Sequence, residues 1–308
     1  MRISTSQIYN VNVGTIGRQQ SDLVHTQQQL STGRRVLAPS DDPVAAARAL
    51  EVGQSHALNQ QQKEAQGTAS DALKQLDSRL GSINDILVYV RERAIQAGNA
   101  ALNQSDRQAI ATDVSAQFEE LMSQANTVDA NSEYLFSGYR GDIQPFTGSL
   151  AGVTYQGDQG VRSLQVSNSR QIPTSVSGDE LFMQVDDGAG GTTDMFSILS
   201  NFVTALNNPT ITAAAYNTAI QTAMGQLDNA QENVLRLRSQ TGSRQVEVDA
   251  LSNIGGDLSI QYAARIEELV GVDYVAAISN FQQQNTYLEA SRSTFAKITD
   301  LSLFKYIG

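Results

Sequence analysis

The chain has 308 residues, 40% hydrophobic and 17% charged, with 32 acids against 21 bases and a formal charge of −11. It has no Cys and no Trp, which excludes disulfide scaffolds, thiolate catalysis and Cys-bound zinc. The acidic balance argues against nucleic acid, whose phosphates are met by clustered Lys and Arg.

At the N-terminus, MRISTSQIYNVNVG lacks the basic stretch and apolar core of a secretory signal, so the chain is expected to be cytosolic or exported without a cleaved signal. Tyr9, Ile16, Leu23 and Leu30 follow at spacings of seven, an apolar stripe on a helix otherwise rich in Gln, Ser and Asn. Such a stripe needs a partner to cover it. Gly14 and Gly17 cost roughly 1 kcal/mol each against Ala in that helix.

The segment LSTGRRVLAPSDDPVAAARAL, residues 30–50, reads as a joint between helices. Gly33 fits the position that ends a helix in a left-handed conformation. Asp42 before Pro43 fits an N-cap with proline at the first helical position. The neighbouring carboxylates of Asp41 and Asp42 could be taken for a metal or acid–base pair, but capping explains them more simply.

No proline occurs in residues 44–144 or 210–308, which admits two long helical stretches. In the first, Leu73, Leu76, Leu80, Ile83, Leu87, Val90, Ala94, Ala97 and Ala101 alternate spacings of three and four, the seam of a packed long helix. Ile110, Val114, Phe118, Leu121, Ala125 and Val128 repeat the pattern. Ten of the 23 glycines lie between Gly138 and Gly191, where runs such as Val153-Thr154-Tyr155 and Leu164-Gln165-Val166 predict short strands and tight turns. Gly138, in LFSGYRG, is expected to relax a hairpin turn.

After Pro209, Ile220, Leu227 and Val234 continue at spacings of seven, joined by Leu237, Leu251 and Leu258. Thr241, Gly242 and Gly255-Gly256 interrupt the phase, so a kink or break is expected there. Unbroken, a helix from 210 to 270 would run roughly 90 Å. Tyr274, Phe281, Leu288 and Phe295 then form a second stripe spaced by seven. The economical partner for the first stripe is this second one, in a coiled coil of about 30 residues that neighbouring copies would reinforce. Periodicity alone also fits ordinary helices of one monomeric bundle. Charge weighs toward packed ends: residues 1–40 hold four bases and one acid, and residues 273–308 hold three of each.

No constellation of base, nucleophile or metal ligands emerges, so no enzyme, cofactor or metal site is expected. His25 and His56 sit in Gln-rich helical context. DDGAGGTTD, residues 186–194, lacks EF-hand spacing and reads as a turn leading into a helix at Phe196. No run approaches the roughly 18 apolar residues of a membrane span, so no membrane partner is expected.

Two stretches carry a resemblance. MRISTSQIY with LSTGRRVLAPSDDPVAAARAL resembles the N-terminal region of the flagellin superfamily, and DYVAAISNFQQQNTYLEASRSTFAKITDLSLFKYIG resembles its C-terminal region. The DDPVAAAR form, and EYLFSGYRGDIQPF at residues 133–146, resemble the hook-associated protein type 3 family rather than flagellin proper, which usually has a DDAAG-like sequence.

The resemblance implies a mainly α protein: a long helical bundle or coiled-coil rod whose terminal helices pair, with a small β-rich insert. The implied domains are an N-terminal coiled-coil segment, 1–42; a helical first half with a β-hairpin near 133–146, 43–146; a β-rich outer domain, 147–192; a helical second half, 193–272; and a C-terminal coiled-coil segment, 273–308. It further implies an extracellular structural subunit at the hook–filament junction, exported by the flagellar type III route without a cleaved signal. The implied partners are the type 1 hook-associated protein, flagellin, copies of itself in a ring and an export chaperone. Tyr9, Ile16, Leu23, Leu30, Tyr274, Phe281, Leu288 and Phe295 are the expected assembly interface. The alternatives are a compact flagellin that polymerises alone and a secreted adhesin-like module.

Overall fold

The structure is a computed structural model that describes residues 5–99, 101–129 and 132–300; the outermost parts of both terminal segments lie outside the described residues. It is mainly helical. In chain order come α1 (Thr5–Thr32), α2 (Pro43–Ala97), α3 (Gln104–Ala125), six short strands, α4 (Met195–Asn207), α5 (Ala213–Val270) and α6 (Tyr274–Asp300). The strands are β1 (Phe146–Ser149), β2 (Gly152–Tyr155), β3 (Ser163–Ser167), β4 (Arg170–Pro173), β5 (Val185–Asp186) and β6 (Thr192–Thr193), paired as three separate antiparallel hairpins. A π-helical turn, Asp179–Met183, lies between the second and third hairpins. The chain divides into two compact units, residues 1–60 with 257–308 and residues 61–256.

In the 61–256 unit the expected seam of α2 is the core. Leu73, Leu76, Leu80, Ile83, Leu87, Val90, Ala94 and Ala97 are all buried. The helix stops at Ala97, so Ala101 is exposed beyond its end. Val128 is likewise past the end of α3 and exposed, while Ile110, Val114, Phe118, Leu121 and Ala125 are buried. Asn103 starts α3 with a reciprocal capping box: its side chain accepts from the Asp106 N–H, and the Asp106 carboxylate accepts from the Asn103 N–H. Ile220, Leu227, Val234 and Leu237 of α5 close the bundle.

An aromatic cluster joins the helices to the hairpins. Phe182, from the π-helical turn, lies edge-on to Phe136 and Phe146 at 5.4 and 5.0 Å and stacks on Phe196 of α4 at 5.6 Å. Phe118 of α3 meets Phe196 at 5.9 Å. Asn126 ties the first hairpin in place, its amide bonding both the C=O and the N–H of Phe146 as a neighbouring strand would. The β3–β4 hairpin buries Val166 and Ile172 against Ala69, Leu73 and Val248, and Arg170 binds Glu247 through two nitrogens at 2.5 and 2.8 Å.

Two expectations are corrected. Residues 133–145 form turns, with one isolated bridge between Val128 and Tyr134; the first hairpin begins at Phe146. Gly138 does have φ +76°, but the reason is Asp158: a Cβ at Gly138 would lie 2.0 Å from its carboxylate. That carboxylate accepts from the N–H groups of Tyr139 and Gly160. The second correction is that α5 runs unbroken through Thr241, Gly242 and Gly255-Gly256. Thr241 is buried and donates its hydroxyl to the Leu237 carbonyl, so its polar group is satisfied within the helix. Gly255 is buried, with Lys63 of α2 so close that a Cβ would meet its side chain at 3.0 Å.

Phe182→Ala should destabilise the 61–256 unit by about 3–5 kcal/mol, because it empties the centre of the aromatic cluster. Urea unfolding followed by tyrosine fluorescence measures this; a change below about 1 kcal/mol would mean the cluster is not the core.

Candidate assembly interface

The stripes spaced by seven meet in the unit that holds both termini. At one end Tyr9 of α1 packs on Phe295 of α6, ring centroids 5.2 Å apart. At the other, the Tyr274 hydroxyl reaches the Cα of Gly33, so close that a Cβ there would lie 2.9 Å from it. The two helices are therefore antiparallel. Stepping seven residues inward from Tyr9 and Phe295 puts Ile16 level with Leu288, Leu23 with Phe281, and Leu30 with Tyr274.

Burial along this stripe is incomplete. Leu288 is 4% exposed, whereas Tyr9 and Tyr274 keep 50% and 52% of their surface. Ile16, Leu23, Leu30, Phe281 and Phe295 are half-buried.

Between the apolar layers lie polar ones that the stripe alone does not reveal. Three residues on along α1 and four back along α6, the intermediate layers set Asn12 beside Ser291, Gln19 beside Gln284, and Thr26 beside Ala277. Asn12, Ser291, Ile16 and Phe295 line one small cavity, as the register requires. Thr26 and Ala277 are buried, and Thr26 donates its hydroxyl to the Asp22 carbonyl one turn back. The glutamines have no such outlet. The Oε1 atoms of Gln19 and Gln284 are both buried without a hydrogen-bond partner, and an unsatisfied buried acceptor costs about 1–3 kcal/mol. Polar residues at a coiled-coil seam fix register at the expense of stability. The signal was present in the sequence as Asn, Gln and Thr three residues after Tyr9, Ile16 and Leu23, but on their own these read as a solvated face.

The pair also leaves apolar side chains in water. Val11, Val13 and Val24 on α1, and Val275, Ile278 and Tyr287 on α6, are exposed, Val275 by 82%. None lies on the stripe spaced by seven, so none was expected as a contact residue.

The joint below the pair is held by a dense set of bonds. Gly33 has φ +69° and ends α1. Its carbonyl accepts from Val272, and the Arg35 N–H donates to Val270 at 2.7 Å, which staples the α1–α2 turn to the α5–α6 turn. The Arg35 guanidinium donates to the Leu269 carbonyl and to Asp42, both within 3.2 Å. Asp42 caps α2 by accepting from the Ala45 N–H, and Asp41 accepts from the N–H groups of Leu37 and Ala38, each at 2.9 Å. Both carboxyls are held below the usual carboxylate range. For Asp41 the cause is its two backbone donors; for Asp42 it is the Ala45 N–H, then Arg35. Asp273 caps α6 from the other side, accepting from Val275 and Ala276. Val36, Ala45 and Val270 bury a small apolar cluster beneath these bonds.

The remaining candidates of the sequence have local roles. Asp187 accepts from Ala189 and Gly191 in the turn between β5 and β6, and Asp194 caps α4. His56 meets Ser259 at 3.1 Å and the Tyr262 ring at 6.2 Å. Among the described residues no cluster of three or more His, Asp or Glu is placed to hold a metal, and no helix is long and apolar enough to cross a membrane.

The model of the bacterial flagellin N-terminal helical region matches residues 3–140. The chain is 31% identical to flagellar hook-associated protein 3 of Escherichia coli and 30% identical to that of Salmonella typhimurium, in each case over 99% of both proteins. Its fold is similar to the crystal structure of the flagellar junction protein FlgL from Legionella pneumophila, with a TM-score of 0.65 and 20% identity, over 73% of this chain and 100% of that one.

Two predictions follow from this geometry. Replacing Gln19 and Gln284 together by Leu should stabilise the α1–α6 pair and slow tryptic cleavage within residues 5–32 and 274–300 severalfold; unchanged cleavage would mean the polar layers carry no penalty. Because Asp41 and Asp42 have lowered folded-state values, their contribution is present above the unfolded carboxylate value of about 3.9 and is lost as pH falls through the lower folded values. Protection of the amides at residues 33–46, measured against their intrinsic exchange rates, should therefore fall below about pH 4, and in Asp42→Asn should already be lower at neutral pH.

Proposed function

Because this chain belongs to the flagellar hook-associated protein 3 family, structural components of the bacterial flagellum, we propose that it forms the junction between hook and filament. In this reading, copies form a ring with the type 1 hook-associated protein on one side and flagellin on the other. The subunit is extracellular, reaches its place through the flagellar export apparatus without a cleaved signal peptide, and is escorted by an export chaperone that grips its C-terminal helix. It performs no catalysis.

The observation that carries this reading is the terminal helix pair. Tyr9, Ile16, Leu23, Leu30, Tyr274, Phe281, Leu288 and Phe295 form a seam that one chain covers only in part, and further valines, isoleucine and tyrosine stand exposed beside it. Burying such surface stabilises association by about 25 cal/mol per Å² of apolar area. A pair that is loose alone gains that energy only beside neighbours, so ordering and assembly are coupled. A lone filament-forming flagellin accounts less well for the chain, since the hook-associated relatives align with it end to end.

Leu23→Asp or Phe281→Asp should leave the 61–256 unit folded, with unchanged urea unfolding, yet prevent incorporation at hooks that carry the type 1 protein. Filament growth from flagellin added to such hooks reads the outcome. Normal growth with either variant would sink this reading of the seam, and long filaments of the wild-type chain alone would favour a flagellin.

A further inference from the structure

Beside the joint, the unit that holds both termini has an open groove of about 310 Å³. Val36, Pro39, Ala49, Leu50, Ile266 and Val270 line it. Val36 and Val270 form its buried floor, whereas Leu50 on the wall is 65% exposed. The capping and backbone bonds of Arg35, Asp41 and Asp42 fix the loop that shapes it, so the groove is built into the joint.

We propose that this groove receives residues 301–308 of a second copy of the chain. That segment reads LSLFKYIG: Leu301, Leu303, Phe304, Tyr306 and Ile307 are apolar or aromatic, and Lys305 is its one charged side chain. Its composition suits an apolar cleft, and the groove has room for part of it. The length of chain decides which copy supplies it. The groove adjoins Val270, four residues before Tyr274, at the end of the pair where Tyr274 meets Gly33. The segment starts at the opposite end, beyond Phe295 and its contact with Tyr9. Asp300 lies about 39 Å along α6 from Tyr274 at 1.5 Å per residue, whereas eight residues span at most about 29 Å when fully extended. A chain whose α6 stays paired with α1 cannot fill its own groove.

The inference deepens the proposed assembly and rests on copies adjoining in it. It adds a specific end-to-joint contact to the seam between helices. Each subunit would then offer a groove at one end of its helix pair and an apolar segment at the other, a heterologous contact that repeats from copy to copy.

The absence of cysteine makes a clean test possible. Two full-length single variants, Leu50→Cys and Phe304→Cys, are mixed, added to hooks that carry the type 1 protein, and joined with a short bismaleimide. The mixture should give severalfold more cross-linked dimer than a mixture in which Leu58→Cys, exposed on the same helix, replaces Leu50→Cys. Ala49→Glu in the Leu50→Cys chain should abolish the excess. Equal yields with Leu58→Cys, no dimer, or insensitivity to Ala49→Glu would overturn the proposal. So would an intramolecular cross-link in a chain carrying both Leu50→Cys and Phe304→Cys. Incorporation at the hooks is scored in parallel: normal incorporation without the cross-link rejects the groove and leaves the junction reading intact, while failure of the wild-type chain to incorporate rejects the junction reading itself.

Discussion

The structure depends on a seam in which apolar layers alternate with layers that carry a polar side chain. Tyr9 with Phe295 is succeeded by Asn12 with Ser291, and Ile16 with Leu288 by Gln19 with Gln284. A helix pair in water is held mainly by its buried apolar face, since isolated helices are marginal. Here that face is diluted by half, two buried amide oxygens lack partners, and Gly14 and Gly17 weaken one of the helices further. The same polar layers make any other register worse, because a shift would set Gln against Phe or Leu. The seam is therefore specific without being strong.

The 61–256 unit is built on the opposite principle. Its α2 seam is apolar at every step and fully buried, its hairpins are fastened by Phe146, Phe182 and Ile172, and its ion pairs sit at the margins. Arg238 with Asp77 and Arg170 with Glu247 are partly exposed and contribute little beyond orientation. One unit is complete within the chain. The other leaves apolar side chains exposed along its helix pair, and between its helices lies a joint stapled by Arg35, Asp41, Asp42 and the Val270 carbonyl.

Much of this was legible from spacing. The α2 seam and both terminal stripes follow from periods of three, four and seven, since period reports which face is buried. Gly33 and the Asp42-Pro43 pair were legible because helix ends have local chemistry. The polar layers were not, because Gln19 and Thr26 look like solvent-facing residues until the antiparallel register sets them against Gln284 and Ala277. LFSGYRG was misread as a hairpin because the partner that demands Gly138, Asp158, is twenty residues away in sequence. Gly242 and Gly255-Gly256 were misread as breaks because propensity is weak against tertiary packing: α5 stays helical wherever its neighbours hold it. The exposed Val11, Val24, Val275 and Ile278 fall off the period and gave no signal.

The central claim is that the α1–α6 pair is completed by neighbouring molecules. Native-state hydrogen exchange on the free chain and on the chain incorporated at hooks tests it most directly. The account predicts rapid exchange through residues 5–32 and 274–300 in the free chain, strong protection of the same amides after incorporation, and protection of the 61–256 core in both. Full protection of the terminal helices in the free chain would contradict it.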